Sequence, residues 1–141
     1  MQPPSADAFK AAGPAGDAIH ETTVLVCSTC RLQGEPEPEI RPGALLAADA
    51  ERAAEGTGVT VRRVECLGNC KRSLSAAILR DGCWSYVFGG LAVDSGADLI
   101  AGAKIYADST DGRMAFRPRP DSLKRGMVAR IPSPDMLKEL P

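Results

Sequence analysis

Aromatic side chains are scarce in this chain of 141 residues, at 4% of the total, so its core is short of large rings and an inorganic centre would add usefully to its stability. Long apolar runs are missing as well. None approaches the roughly 18 residues that a membrane-spanning helix needs, which excludes helical membrane spans. Charge of one sign is not in excess either, with 17 Lys and Arg against 18 Asp and Glu. The net charge of −1 argues against bulk binding of nucleic acid. The single histidine, His20, stands in a segment rich in Ala, Pro and Gly and is assigned no role. No nucleophile–base pair, phosphate-binding glycine loop or carboxylate dyad stands out, so the chain is expected not to be an enzyme. The first 21 residues lack the basic start and apolar stretch of a secretory signal and read as a disordered leader. A cytoplasmic, reducing location is the matching expectation, and there thiols bind metals or do redox chemistry more readily than they form structural disulfides.

What the chain does have is five cysteines, four of them in two close pairs: Cys27-Ser28-Thr29-Cys30 and Cys66-Leu67-Gly68-Asn69-Cys70. Each pair closes a run with strand character, Thr23 to Val26 before the first and Val59 to Glu65 before the second. Strands placed side by side would let four thiolates converge on one point. Tetrahedral sulfur coordination of zinc and of an iron–sulfur cluster both require this. A lone Cys-x-x-Cys is equally a redox dithiol, but the second pair argues against that reading. So does the proline-bearing loop, with Pro36, Pro38 and Pro42, that separates Cys30 in sequence from the first predicted helix, because dithiol catalysts place the motif at a helix start. Gly68 is expected to permit the sharp backbone course between Cys66 and Cys70 and to leave amides free to donate to sulfur.

The hydrophobic content of 44% suits one domain with a modest core. Leu45, Leu46, Ala50, Ala53 and Ala54 predict a helix from Gly43 to about Glu55, which Gly56 and Gly58 stop. Leu74 to Leu79 and Trp84 to Phe88 flank Arg80-Asp81-Gly82-Cys83, and the Asp-Gly pair predicts a tight two-residue hairpin turn with Trp84, Tyr86 and Phe88 on one face. Ser95 with Asp98 resembles a capping box that opens a second helix through Ile105. Strand, helix, strand, hairpin, helix is the element order of a thioredoxin-like α/β fold. The expectation is a mixed four-stranded sheet with flanking helices over 22–107, and a proline-containing extension, 108–141, that packs along this core.

Taken together, the two cysteine pairs, Trp84-Ser85-Tyr86-Val87-Phe88-Gly89, Tyr106-Ala107-Asp108-Ser109-Thr110-Asp111-Gly112 and Ala129-Arg130-Ile131-Pro132 resemble a bacterial family of predicted metal-binding proteins similar to the thioredoxin-like [2Fe–2S] ferredoxins. The resemblance spans about Thr23 to Pro134. It implies a [2Fe–2S] cluster held by Cys27, Cys30, Cys66 and Cys70, one-electron transfer or accessory work in metal or cofactor metabolism, a redox protein as partner, and a homodimer. Two features depart from those patterns: the close spacing of Cys27 and Cys30, and Ser73-Leu74 where relatives carry Gly-Cys, with the fifth cysteine at Cys83 instead. The alternatives are a non-redox protein holding zinc or delivering metal, and a thiol oxidoreductase. Cys83 reads as a small buried residue of the hairpin. Arg31, Lys71 and Arg72 follow ligand positions and form a basic collar that either steers an acidic partner or neutralises the site.

Overall fold

The computed structural model describes residues 21–32 and 39–138. The leader up to His20 and the loop prolines Pro36 and Pro38 lie outside the described residues. Among the described residues, five strands form one sheet: β1 (Thr23–Cys27), β2 (Thr60–Val64), β3 (Ala76–Leu79), β4 (Ser85–Phe88) and β5 (Met127–Ile131). Their order across the sheet is β2-β1-β3-β4-β5. Strands β1 and β2 are parallel, whereas β3 runs antiparallel to both β1 and β4. Order 2-1-3-4 with β3 alone reversed is the thioredoxin-like arrangement.

The fifth strand corrects the expected count of four. Met127–Ile131 pairs antiparallel with β4, through a register shift at Val87 and Phe88. Its side chains are mostly exposed and show no alternation, so its place comes from the backbone edge that β4 offers and not from a buried face.

Helix α1 (Pro42–Ala54) crosses between β1 and β2, and α2 (Gly96–Ala107) follows β4. Proline suits the first turn, where its missing N–H costs nothing, so α1 begins at Pro42. Leu46, Ala47, Ala50 and Ala54 form its buried stripe, but Leu45 faces outward. α2 starts after Ser95 without the expected capping box. The Ser95 hydroxyl instead accepts from the Ala92 amide at 2.9 Å, and the Asp98 carboxylate accepts from Ser122 at 2.7 Å. The two helices pack on each other, close enough that a Cβ on Gly96 would stand 2.6 Å from the Ala50 amide nitrogen. The chain continues through α3 (Asp121–Arg125) into β5 and ends its described part in α4 (Pro134–Leu137).

Alternation sends Val24, Val26, Ala76, Ile78, Tyr86 and Phe88 into the face beneath the helices, where all are buried. Half of the six aromatic residues gather here, with Tyr86 stacked on Phe88 at 5.9 Å and edge-on to Tyr106 at 6.2 Å. The hairpin connection is wider than the two-residue turn expected. Pairing of β3 with β4 ends at Ile78 and Tyr86, and the Cys83 amide closes a turn on the Arg80 carbonyl at 3.1 Å, with Gly82 at φ 75°. No described helix is long and apolar enough to cross a membrane.

Candidate metal centre

Parallel pairing of β1 with β2 brings both cysteine pairs to one end of the sheet. Cys27 lies opposite Val64 in the register, so Cys66 follows two residues beyond Cys27's partner. The Cys27–Cys30 turn is tied down on three sides. The Cys27 amide donates to the Ser75 carbonyl of the β3 lead-in at 3.1 Å. The Ser28 amide donates to the Val64 carbonyl at 2.9 Å, and the Thr29 hydroxyl donates to the Glu65 carbonyl, so the turn rests on the end of β2. On the third side stands α1: the Gly43 amide donates to the Cys30 carbonyl at 3.1 Å and Arg41 Nη1 to the Thr29 carbonyl at 3.0 Å.

This last contact overturns one expectation. Residues 31–41 separate Cys30 from α1 along the chain, yet in space the start of α1 abuts the cysteine turn. A Cβ on Gly43 would lie 2.2 Å from the Cys27 carbonyl oxygen and 2.8 Å from the Cys30 nitrogen, so only glycine fits. The positive end of the helix dipole thus faces the first pair after all.

Cys27 and Cys30 are buried, while Cys66 and Cys70 are exposed. Burial pushes the Cys27 thiol up, but hydrogen bonds from the Cys30 thiol, the Leu67 amide and Thr29 outweigh it, and the group sits below its ordinary value. Burial, the Cys27 hydrogen bond and the neighbouring Cys27 and Cys70 charges push Cys30 up to about 12. The second pair lies on a short loop that ends in a 3-10 turn, Cys70–Arg72. Gly68, at φ 74°, takes the left-handed conformation expected of it, and its amide donates to Cys66 Sγ at 3.2 Å. Cys27 Sγ itself reaches the Glu65 carbonyl at 3.6 Å. Loop and turn therefore meet at Cys27.

The chemistry of the donor set fits a centre bound by thiolates alone: two cysteine pairs follow the adjacent ends of β1 and β2, and the Gly68 amide donates to Cys66 Sγ. Side chains are not gathered to that degree. No described group of three or more His, Cys, Asp or Glu lies close enough to hold a metal ion as it stands. Cys27 and Cys30 form the assembled half, and the Cys66 sulfur accepts from the Gly68 amide of its own loop. Cys83 is elsewhere, buried in the hairpin with Arg80 Nε donating to its sulfur at 3.3 Å, as expected of a packing residue.

Four supporting residues have no conspicuous sequence signal. Asn69 Nδ2 donates to Ser75 Oγ at 3.1 Å and to the Arg72 carbonyl at 3.4 Å, which folds the second loop onto β3. Gly89 makes room for it, since a Cβ there would stand 2.4 Å from Asn69 Nδ2. Gly43 does the same for the first turn. Of these, Gly43 alone carried a local hint, as a glycine in the first turn of a helix, where it is a poor helix former.

Residues 24–133 match the family described as "Protein of unknown function (DUF1636)". The chain belongs to this family. The match takes in both cysteine pairs, both long helices and all but the first residue of the five-stranded sheet. No curated protein matches the chain. Among solved structures, it is similar to a thioredoxin-like [2Fe-2S] ferredoxin from Aquifex aeolicus, at 14% identity and a TM-score of 0.48, over 79% of this chain and 93% of that one. The fold assignment rests on strand order and direction, independently of that likeness.

Proposed function

We infer that the protein holds a [2Fe–2S] cluster on Cys27, Cys30, Cys66 and Cys70 and serves as a one-electron carrier or as an accessory in metal or cofactor metabolism. The observation that supports this reading is the placement of two cysteine pairs at the adjacent ends of β1 and β2, with the Gly68 amide donating to Cys66 Sγ. When bound, such a centre takes up and gives back a single electron. The chain's own part is to fix Cys27 and Cys30 in a turn braced by β2, β3 and α1, and to present Cys66 and Cys70 from a loop anchored through Asn69. Protein purified without oxygen should contain about two irons and about two acid-labile sulfides per chain and absorb in the visible. Replacing any of the four cysteines by Ala should abolish that absorption, while Cys83→Ala keeps it. Stoichiometric zinc in a colourless preparation would replace the cluster with a structural or delivered metal.

A second reading has its own observation: the buried, hydrogen-bonded Cys27–Cys30 pair at the start of α1 has the surroundings of a redox dithiol. Disulfide exchange would require Cys27 and Cys30 and be indifferent to Cys66→Ala and Cys70→Ala. Catalysed reduction of a disulfide substrate by both of those variants would select this reading over the cluster.

A further inference from the structure

The cysteine end of the molecule carries more cations than the collar that follows the ligands. Arg72 Nη2 donates to the Arg125 carbonyl at 3.3 Å, and the Gly89 amide donates to the Gly126 carbonyl at 2.8 Å, so the end of α3 lies against the turn that follows Cys70. Lys71, Arg72, Lys124 and Arg125 are thereby assembled beside the candidate centre. Among the described residues, the ion pairs join Arg52 to Asp49, Arg63 to Glu51, Arg113 to Asp111 and Lys138 to Asp135, and none of them involves these four. Two acids near α3 have other places: Asp121 stands in its first turn, and Asp98 accepts from Ser122. The end of a helix favours cations, which suits Lys124 and Arg125 but leaves Lys71 and Arg72, on a separate 3-10 turn, without that benefit. Like charges are brought together on a chain whose total charge is −1.

Next to this patch stands an apolar anchor. Phe116 is 60% exposed, and its ring is flanked by the Arg119 guanidinium and the Lys124 ammonium, each 5.2 Å from the centroid. Arg119 is itself buried. It lies over Tyr86 and donates to the Met114 carbonyl at 2.8 Å and to Met127 Sδ at 3.7 Å, so the ring sits on a fixed support. An exposed aromatic flanked by two cations, on a buried arginine that also reaches Met127, has the composition of an interface anchor.

We propose that the surface from Lys71 and Arg72 across Lys124 and Arg125 to Phe116 docks an acidic protein, one that presents carboxylates around an apolar side chain. It rests on the reading of the cysteine end as the working site, because docking there brings the partner to the sulfurs. Charge steers the encounter and the phenyl ring fixes the register.

The test titrates a short peptide of glutamates around a central leucine into the full chain labelled with nitrogen-15, at low salt. Amide shifts should gather in 70–73 and 115–127 and shrink as salt is added. Lys124→Glu combined with Arg125→Glu should weaken binding about tenfold while the chain still unfolds cooperatively, its melting temperature lowered only slightly by acids at the helix end. Phe116→Ala should remove the preference for this peptide over one of glutamate alone. No binding at low salt, shifts centred on the other basic stretch at Arg62 and Arg63, or tighter binding of oligothymidylate would each overturn the proposal, the last in favour of a nucleic-acid partner. The titration needs no metal, so a colourless preparation would sink the cluster reading and leave this result readable. Failure to bind in a chain with full iron content would sink docking alone.

Discussion

At the level of single residues, the candidate centre depends on glycines as much as on cysteines. Gly43 and Gly68 stand at opposite extremes. Gly43 has ordinary dihedrals but no room, since an added Cβ would meet backbone atoms of Cys27, Ser28 and Cys30 within 3.0 Å. Backbone cannot rotate away as a side chain can, so Gly43→Ala must part α1 from the cysteine turn, at a cost of about 3 kcal/mol. Gly68 has open space around it and φ 74°, so Gly68→Ala meets only the left-handed penalty of about 1 kcal/mol. Denaturant unfolding of the two variants should show this difference. Equal losses would mean that α1 does not hold the Cys27–Cys30 turn as described. The cysteines themselves were plain in the sequence, because thiols in two close pairs are rare enough to carry meaning. Of their supports, Gly68 was legible with them, and Gly43 and Gly89 were not. Gly43 is required by a neighbour brought near by folding, and no local pattern encodes a contact between a turn and a helix start with residues 31–41 between them.

Among the elements, β1 to β4 and the two long helices were legible where periodicity was strong, and errors arose where one residue had a choice of partners. Ser95 and Asp98 have the spacing of a capping box, but tertiary contacts at Ala92 and Ser122 competed successfully for both side chains. β5 falls outside the four strands that the sequence predicts, because an exposed edge strand carries no alternation to announce its partner. The far end of α2 is secured by a group that periodicity also passes over. The Tyr106 hydroxyl donates to the Trp84 carbonyl at 2.5 Å, and Arg80 lies over its ring at 5.4 Å. Burial, together with the nearby Cys83, raises the Tyr106 phenol well above its ordinary value near 10. The folded state therefore keeps a proton that the unfolded chain releases. This contribution is fully present below about pH 10 and is lost as pH rises from there toward the folded value. Stability of the native protein should accordingly fall above about pH 10, whereas Tyr106→Phe, about 1 kcal/mol less stable at neutral pH, should show a flatter alkaline limb. An identical alkaline slope in the variant would assign the effect to other groups.

Over the whole molecule, the extension from Asp108 onward is the part whose role composition hides most. Prolines dominate its reading, and its few apolar residues are too widely spaced to form a periodic face. Folding gathers them nevertheless. Leu123 is fully buried and Met114 nearly so, and a Cβ on Gly102 would lie 2.3 Å from Leu123 Cδ1 and 3.2 Å from Met114 Cε, so α2 is shaped to receive both. The Met114 amide donates to the Tyr86 hydroxyl at 2.9 Å and Arg119 covers the Tyr86 ring, which makes the extension the lid of the aromatic cluster. Leu123→Ala should then cost about 3 kcal/mol, a substantial share of the 5–15 kcal/mol typical of a domain. Ending the chain after Ala107 removes Leu123, Met114, Arg119 and β5 together and leaves the edge of β4 and the Tyr86 ring open to water. Such a truncation should lose cooperative unfolding and bind a dye for exposed apolar surface, even though all five cysteines remain. A truncated chain that melts sharply near the full-length temperature would show instead that the first four strands and two helices suffice, with the extension kept for another purpose, such as the docking surface that Phe116, Lys124 and Arg125 provide.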